Sequence, residues 1–506
     1  MRVSSAAPVR APTLLACVVA MAAACAGPGR GDTPGTGGQA AVGGAGGPGQ
    51  GGSGPGGSAS GAGGSGATSG VGGTVGGSGG AAGSATAGSA GTAGTGGSAG
   101  VGAGGGGGPS TGGTVGGSGG SAGTGTGGGA GTTPAVVIPG AGNCTPPAGA
   151  SAADAQAAYA KFMNDIVTSG GAGGFLRVRR PNSASAVVDS TVSEGIAYGM
   201  LLAVYASDQP TFDKFWQYSQ AHLDGNGLMN WYIGPSGETL GSGAASDADQ
   251  DMAYALIVAD QRWGGRGSLS TNYIDLAKTL IGKIWQYEVN ASTGAFKPGD
   301  TGFDGSVINI SYFAPAYYRV FGKVTGKTAD WNRAVTTSYD IIERTLNTQN
   351  GNASNGLVPA WSTPAGVPMA PSGTSHPIHH QLDSCRTPFR VGLDYCWNAE
   401  PRALAYLQKI NGFYSGVGAA AMVDGYDLNG TPHPEFVTSG GPRAASFVGT
   451  AGVGAMATGA THATLRNDAY ASVKTLMQLA GSTYYQTSWT ALTLQMMTGQ
   501  MTAPPP

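Results

Sequence analysis

Residues 245–263 read ASDADQDMAYALIVADQRW, and they join three aspartates at alternate positions to a helical apolar pattern. Apolar residues follow at steps of four, three and four, at Met252, Leu256, Ala259 and Trp263. This spacing predicts an amphipathic helix over 246–263, capped by Ser246 or Asp247. Asp247 and Asp251, four apart, would share one face of that helix. The alternation also resembles a calcium loop, but the glycine and distal glutamate of an EF-hand are missing.

The same periodicity recurs along the chain beyond residue 143. We predict twelve helices, at 152–167, 191–206, 211–223, 246–263, 272–289, 311–321, 328–348, 388–397, 400–412, 443–458, 461–480 and 484–498. Strand patterns are short and scattered, and Gly- and Pro-rich loops separate several of the helices. The pattern predicts an all-α domain over 143–506. Twelve helices can pair as six helical hairpins, which is the number found in an (α/α)6 barrel.

The residues before this domain have a different composition. Between Gly31 and Gly131, 50 of 101 residues are glycine, and no Asp, Glu, Lys or Arg occurs from Thr33 to Ala153. Such a composition cannot bury enough apolar surface to offset the entropy of ordering it. We therefore predict a disordered Gly/Ser/Thr/Ala-rich linker over 26–142.

The first 25 residues are typical of a secretory signal peptide. Arg2 and Arg10 precede an apolar run at 13–24, which is too short to span a membrane. The run ends in AAAC, which resembles a bacterial lipoprotein box with Cys25 as the lipidated residue. Ala22 departs from the usual leucine, so cleavage after a small residue is the alternative. We expect a secreted or bacterial cell-surface protein.

Charge and cysteine usage narrow the function classes. The 506 residues hold 25 Lys+Arg and 27 Asp+Glu without a basic block, so nucleic acid is not an expected partner. Of the five cysteines, Cys144, Cys385 and Cys396 belong to the folded domain, so at most one disulfide forms there. Histidines at 376–380 precede Cys385, but a loop without a second ligand pair is a weak zinc signal. We expect no metal and no cofactor.

Two further motifs carry candidate catalytic carboxyls. SEGIAYGMLLAV at 193–204 places Glu194 among apolar neighbours, which raise the pKa of a carboxyl and suit a proton donor. LDSCRTPFR at 382–390 places Asp383 beside Arg386 and Arg390, which would hold it ionised as a general base requires. Each motif taken alone also has a structural explanation. Glu194 could be an acidic residue in the first turn of a helix, where the helix dipole favours it, and Asp383 could belong to an ordinary Asp–Arg ion pair.

Together the motifs resemble glycoside hydrolase family 8, the inverting endo-β-glucanase family, over residues 152–499. GLMNW at 227–231 and SYFAPAYYRVF at 311–321 are also similar to its motifs and stand in the same order. The resemblance implies an (α/α)6 barrel with Glu194 as proton donor and Asp383 as general base. Asp247 would grip the distorted central sugar, a residue sometimes described as a nucleophile.

Further site residues follow from the same resemblance and from the chemistry of sugars. Tyr312 would lie beside the attacking water, and Arg386 and Arg390 would contact substrate. Trp231, Trp361 and Tyr312 are candidate platforms, because sugar C–H faces pack on aromatic rings. The sequence departs from the family pattern at two positions, with Leu382 in place of the usual tyrosine and Ala360 in place of the usual aspartate.

These observations predict a monomeric endo-glycosidase that cleaves β-1,4 bonds of a cellulose-like glucan with inversion. Xylan, mixed-linkage β-glucan and chitosan are alternative substrates, although Asp383 in its motif argues against the chitosanase branch. A non-catalytic surface protein that binds sugar is an alternative of a different class. It would be expected to lack at least one of the three carboxylates, and all three are present.

Overall fold

The structure is a computed structural model that describes residues 142–181, 187–374, 376–434, 445–478 and 483–503. The described residues contain twelve α-helices. They are α1 Ala152–Ile166, α2 Ser193–Tyr205, α3 Gln209–Ala221, α4 Ser246–Trp263, α5 Tyr273–Tyr287, α6 Pro315–Thr325, α7 Thr328–Thr345, α8 Arg386–Asn398, α9 Pro401–Val417, α10 Ala445–Met456, α11 Ala463–Met477 and α12 Tyr484–Met497.

Six of these helices form a closed inner ring. α2 packs on α4, α4 on α6, α6 on α8, α8 on α10, α10 on α12, and α12 on α2 again. Every residue of α2 and α10 is buried, and so is every residue of α12 except Gln486, as expected of helices that other elements surround on all sides. The other six helices pack outside the ring and bury one face only. The predicted (α/α)6 barrel of twelve helices is confirmed.

Short strands and turns precede three of the inner helices. The strands are β1 Val167–Thr168, β2 Arg177–Val178, β3 Thr191–Val192, β4 Tyr232–Ile233, β5 Thr239–Gly241, β6 Ile308–Asn309, β7 Trp361–Ser362, β8 His380–Gln381 and β9 Gly425–Tyr426. They pair antiparallel as β1–β2, β3–β4–β5, β6–β7 and β8–β9. β3 continues into α2, while β6 and β8 lead into the 3₁₀ turns Ile310–Tyr312 and Leu382–Cys385 before α6 and α8. Pairing of these strands therefore fixes where three inner helices begin.

Two local predictions are wrong. The helix expected over 311–321 is broken, because Pro315 disfavours a helical backbone at Ala314, which has φ −126° and ψ 65°, and α6 begins only at Pro315. Neither Ser246 nor Asp247 caps α4. The N-cap is Ala245, and the Ser246 hydroxyl instead donates to the carbonyl of Lys297 at 2.8 Å. That bond fastens the beginning of α4 to the loop after α5.

A disulfide ties the beginning of the described chain to the barrel. Cys144 bonds Cys396 near the end of α8, and Cys385 is a buried free thiol. The backbone N–H of Asn143 also donates to the carbonyl of Cys396 at 2.8 Å. Among the described helices, none is both long and apolar enough to cross a membrane. The predicted signal segment, Cys25 and nearly all of the predicted linker lie outside the described residues.

Candidate active site

Three elements bring the three predicted carboxyls to one end of the barrel. Glu194 is the second residue of α2 and Asp247 the second residue of α4, while Asp383 lies in the 3₁₀ turn that leads into α8. In a bundle of consecutive hairpins the inner helices run parallel, so their first turns meet at the same end. The barrel thus brings together residues that are up to 189 positions apart (383 − 194).

The guanidinium of Arg386 joins all three carboxyls. Its Nη1 donates to Oε2 of Glu194 and lies 3.3 Å from Oδ2 of Asp247, while its Nη2 donates to Oδ1 of Asp383 at 3.1 Å. The Arg386 and Asp247 side chains are each 1% exposed, and those of Glu194 and Asp383 are 8% and 6% exposed. One buried positive charge faces three carboxyls, so full ionisation would leave two uncompensated negative charges. Such an arrangement favours a retained proton on one carboxyl.

Glu194 is the carboxyl whose environment favours the proton. Burial raises its pKa to about 7, and nearby Asp247 and Asp383 act in the same direction against the opposing effect of Arg386. The phenol of Tyr484 on α12 donates to Oε1 of Glu194 at 2.6 Å. Tyr484 was not among the predicted site residues, because a contact across 290 residues leaves no local signal in the sequence.

Asp383 is held by hydrogen-bond donors on both of its oxygens. Arg386 donates to Oδ1, and the Asn309 amide donates to Oδ2 at 3.2 Å. Burial raises the pKa of Asp383, whereas Arg386 and Asn309 favour its charged form. Asn309 ends β6 and was also missed by the sequence analysis.

The profile of glycosyl hydrolases family 8 matches residues 147–499, more than half of the chain. The chain belongs to this family. It is 40% identical over 280 residues to Endoglucanase A of Acetivibrio thermocellus, a match that covers 54% of this chain and 56% of that protein. It is 35% identical over 344 residues to Endoglucanase 2 of Ruminiclostridium josui, covering 67% of this chain and 70% of that protein.

A solved structure agrees with the architecture of this family 8 member. The apo β-1,3-1,4-glucanase from Paenibacillus sp. X4 superimposes with a TM-score of 0.62 at 26% sequence identity. The superposition covers 71% of this chain and 95% of that one. The predicted family and the predicted class of glycoside hydrolase are thereby confirmed at the level of the family.

Arg390 does not have the surroundings that were predicted for it. Its guanidinium forms two hydrogen bonds with Asp251, at 2.8 and 3.0 Å, and it is 3% exposed. Arg386 and Arg390 are four apart on α8 and face Asp247 and Asp251, which are four apart on α4. Each arginine therefore meets one aspartate of the pair. Of the two arginines, only Arg386 bonds to Asp383. The N–H donors of Arg390 are used by α4, so the substrate contact predicted for Arg390 is not supported.

The three predicted aromatic platforms have different environments. Trp231 is half-buried and stacked on Tyr232, with ring centroids 4.9 Å apart. Tyr312 is buried under Arg386, whose guanidinium carbon lies 4.9 Å from the ring centroid. Trp361 is only 2% exposed. Its ring stacks with those of Phe303 and His376, so the open platform expected there is not present.

A second pair of carboxyls lies behind Asp247. Asp249 on α4 and Glu288 just after α5 are buried, and they lie close enough for each to affect the pKa of the other. Burial raises the pKa of both groups, and the charge of Asp249 raises that of Glu288 further. The ionisation of two neighbouring buried carboxyls is energetically costly, because both negative charges are desolvated and repel each other. This favours a proton shared by the pair.

The histidine cluster has structural partners. The ring of His380 is hydrogen-bonded to the carbonyl of Val358 at 2.8 Å and to the phenol of Tyr414 at 3.0 Å. His379 stacks on His433, with centroids 3.8 Å apart. Within the described part of the chain, no group of three His, Cys, Asp or Glu side chains has a geometry suited to a metal ion.

Proposed function

We propose that this chain is an endo-acting glycoside hydrolase that cleaves internal β-1,4 bonds of a glucan with inversion of configuration. The observation that carries the proposal is the set of three carboxyls around Arg386, with the pKa of Glu194 raised to about 7. Glu194 is the general acid and Asp383 the general base. Asp247 acts through hydrogen bonding and charge.

The geometry supplies each role of a single displacement. With its pKa raised to about 7, Glu194 keeps a substantial protonated fraction near neutral pH and can donate its proton to the departing glycosidic oxygen. Asp383 accepts a proton from water that attacks the opposite face of the sugar. Both carboxyls retain some exposure, whereas Asp247 lies deeper. The excess of carboxyls over guanidinium favours the positive charge that develops at the anomeric carbon in the transition state.

A glucan is the substrate class that the similarities favour. Both endoglucanases described above are similar to this chain, and their names specify glucan cleavage. The likeness to the β-1,3-1,4-glucanase favours mixed-linkage glucan as the second candidate. Xylan and chitosan remain alternatives within the same fold.

Parallel assays on carboxymethylcellulose, lichenan, xylan and chitosan separate these candidates. An endo-acting enzyme lowers the viscosity of carboxymethylcellulose long before the release of reducing ends is extensive. The strongest reducing-sugar release should occur on carboxymethylcellulose or lichenan. Binding without release from any of the four would instead support the non-catalytic alternative.

The stereochemical outcome tests the roles of the carboxyls. Single displacement on a β-1,4 bond gives the α-anomer first, whereas double displacement through Asp247 would give the β-anomer. Proton NMR of the first products, recorded before mutarotation, distinguishes the two. An initial β signal or a glycosyl ester trapped on Asp247 would overturn the assignment.

We also propose that the protein acts outside the cytoplasm, on the cell surface or secreted. The Cys144–Cys396 disulfide supports an oxidising compartment, and the signal-like first 25 residues support export. A lipid on Cys25 would retain the protein on a membrane. Metabolic labelling with a radiolabelled fatty acid in a bacterial host tests this, with Cys25→Ser as the control that should lose both label and membrane retention.

A further inference from the structure

A closed ring of hydrogen bonds surrounds the proposed base. Asp383 accepts from Nη2 of Arg386 at 3.1 Å and from Nδ2 of Asn309 at 3.2 Å. The Ser311 hydroxyl donates to Oδ1 of Asn309 at 2.7 Å and accepts from Nε of Arg386 at 3.0 Å. All four residues are at most 4% exposed. Each of these bonds is therefore largely shielded from bulk solvent.

The donors and acceptors in this ring have only one consistent direction. Oδ1 of Asn309 accepts both the backbone N–H and the hydroxyl of Ser311, so the amide N–H₂ has to face Asp383. Ser311 has a single hydroxyl proton, which it gives to Asn309, and its lone pair accepts from Arg386. A guanidinium cannot accept a hydrogen bond. Both oxygens of Asp383 therefore act as acceptors, an arrangement that favours the ionised carboxylate.

We propose that Asn309 and Ser311 are positioning residues that keep Asp383 ionised and aimed at the attacking water. This proposal rests on the role of Asp383 proposed above. A proton on either oxygen of Asp383 would weaken the oxygen as an acceptor for Arg386 or Asn309, so the ring disfavours the protonated, inactive base. The burial that would otherwise favour protonation is thereby opposed within the site.

The ring also connects the base to the acid. Nη1 of Arg386 donates to Glu194, so the group that orients Asp383 contacts the proton donor as well. Ser311 holds the guanidinium by Nε and thereby fixes its rotation about the side-chain axis. A loss of Ser311 should therefore disturb both carboxyls, whereas a loss of the Asn309 donor should act mainly on Asp383.

A purely local role for Asn309 is the competing explanation. Asn309 is the N-cap of the turn Ile310–Tyr312, where its Oδ1 accepts from the Ser311 N–H. Aspartate caps about as well as asparagine. Asn309→Asp therefore preserves the cap but replaces the donor to Asp383 with a second carboxyl oxygen, which disfavours ionisation of the neighbour.

The test is the pH profile of kcat/KM on soluble glucan for Asn309→Asp, Ser311→Ala and Ser311→Thr. We expect Asn309→Asp and Ser311→Ala to lower kcat at least about tenfold, because the loss of a hydrogen bond to a charged group costs enough free energy for such a change. KM should stay within about threefold of the wild-type value. The acidic limb should move to higher pH in both. Ser311→Thr, which keeps the hydroxyl, should restore most of kcat.

Matched controls separate positioning from loss of stability. Ser338→Ala removes an equally buried hydroxyl on α7, where it donates only to the carbonyl of Ala334, and it should keep the wild-type profile. The variant Asp383→Asn distinguishes a failure of the proposed base from a failure of the proposed positioning residues. Turnover by Asp383→Asn would remove the base itself, whereas an inactive Asp383→Asn with wild-type profiles for Asn309→Asp and Ser311→Ala would overturn only the positioning role.

Discussion

Removal of the Cys144–Cys396 disulfide should lower stability substantially without a loss of catalysis. The bridge spans 252 residues, so it constrains the larger part of the folded domain in the unfolded chain. The chain-entropy relation gives about 5 kcal/mol for a loop of this size. For a folded region of roughly 360 residues the unfolding entropy is about 0.75 kcal/mol/K, which converts this loss to a fall in Tm of about 7 °C.

The folded state itself should change little in Cys144→Ala/Cys396→Ala. Asn143 still donates to the carbonyl of Cys396, and Thr145 still donates to that of Met456 at 2.9 Å. The bridge lies near the end of α8, while Arg386 begins that helix. We therefore expect kcat at 25 °C to stay within about twofold of the wild-type value, since the transition-state contacts are unchanged.

Thermal unfolding followed by circular dichroism, with and without reductant, measures this effect. Reduced wild type and the double variant should melt at the same lower temperature, and the double variant should not respond to reductant. Cys385→Ala keeps the bridge and should still respond. The loop-entropy reasoning would be refuted if full reduction did not change the Tm of the wild type. It would also be refuted if the Tm of the double variant lay within about 1 °C of that of the oxidised wild type.

Four further predictions concern the site and the linker. Asp383→Asn should lower turnover at least about 10²-fold with binding and fold retained, as measured by activity and calorimetry. Tyr484→Phe removes a donor that favours ionised Glu194, so the alkaline limb of kcat/KM should move to higher pH. The pKa values of Asp249 and Glu288 are raised in the folded state, so the two groups stabilise the fold at low pH, and this stabilisation is lost as the pH rises through the folded pKa values. The double variant Asp249→Asn/Glu288→Gln cannot titrate at these positions. Its Tm should therefore decline less steeply than that of the wild type as the pH is raised. Deletion of residues 26–140 should leave the rate on soluble substrate unchanged, because the segment has no charge after Asp32 and no apolar periodicity.

The barrel was predictable because its helices carry strong local signals. The periodic apolar pattern depends on nearest neighbours along a helix, and the pattern of 246–263 corresponds to α4 residue for residue. Errors occurred where a single residue overrides the pattern. Pro315 interrupts a continuous apolar stretch, so the helix begins four residues later than the stripe suggests.

The site was predictable only as far as motifs lie close together in the chain. Asp383 and Arg386 are three apart, and their pairing was expected from that spacing. Arg390 is also close to Asp383 in sequence, but one more helical turn carries it to Asp251 on a different helix. Proximity along the chain could not decide between these partners. Asn309 and Tyr484 reach the site from 74 and 290 residues away, and no local pattern marks them.

The pKa of Glu194, the proposed acid, results from a competition between burial and the effect of the helix end. Glu194 lies in the first turn of α2, where the helix dipole favours an ionised carboxyl. That effect alone would lower the pKa of Glu194 and make it a poor donor. Desolvation and the charges of Asp247 and Asp383 outweigh the local effect and raise the pKa to about 7. Asp383 meets the same burial, and each of the two carboxyls accepts from Arg386 and from one further side chain. The further partner of Glu194 is the Tyr484 phenol, which can also accept a proton from a protonated carboxyl, whereas the Asn309 amide N–H₂ beside Asp383 can only donate. The kind of this partner, and not the number of partners, distinguishes the proposed acid from the proposed base.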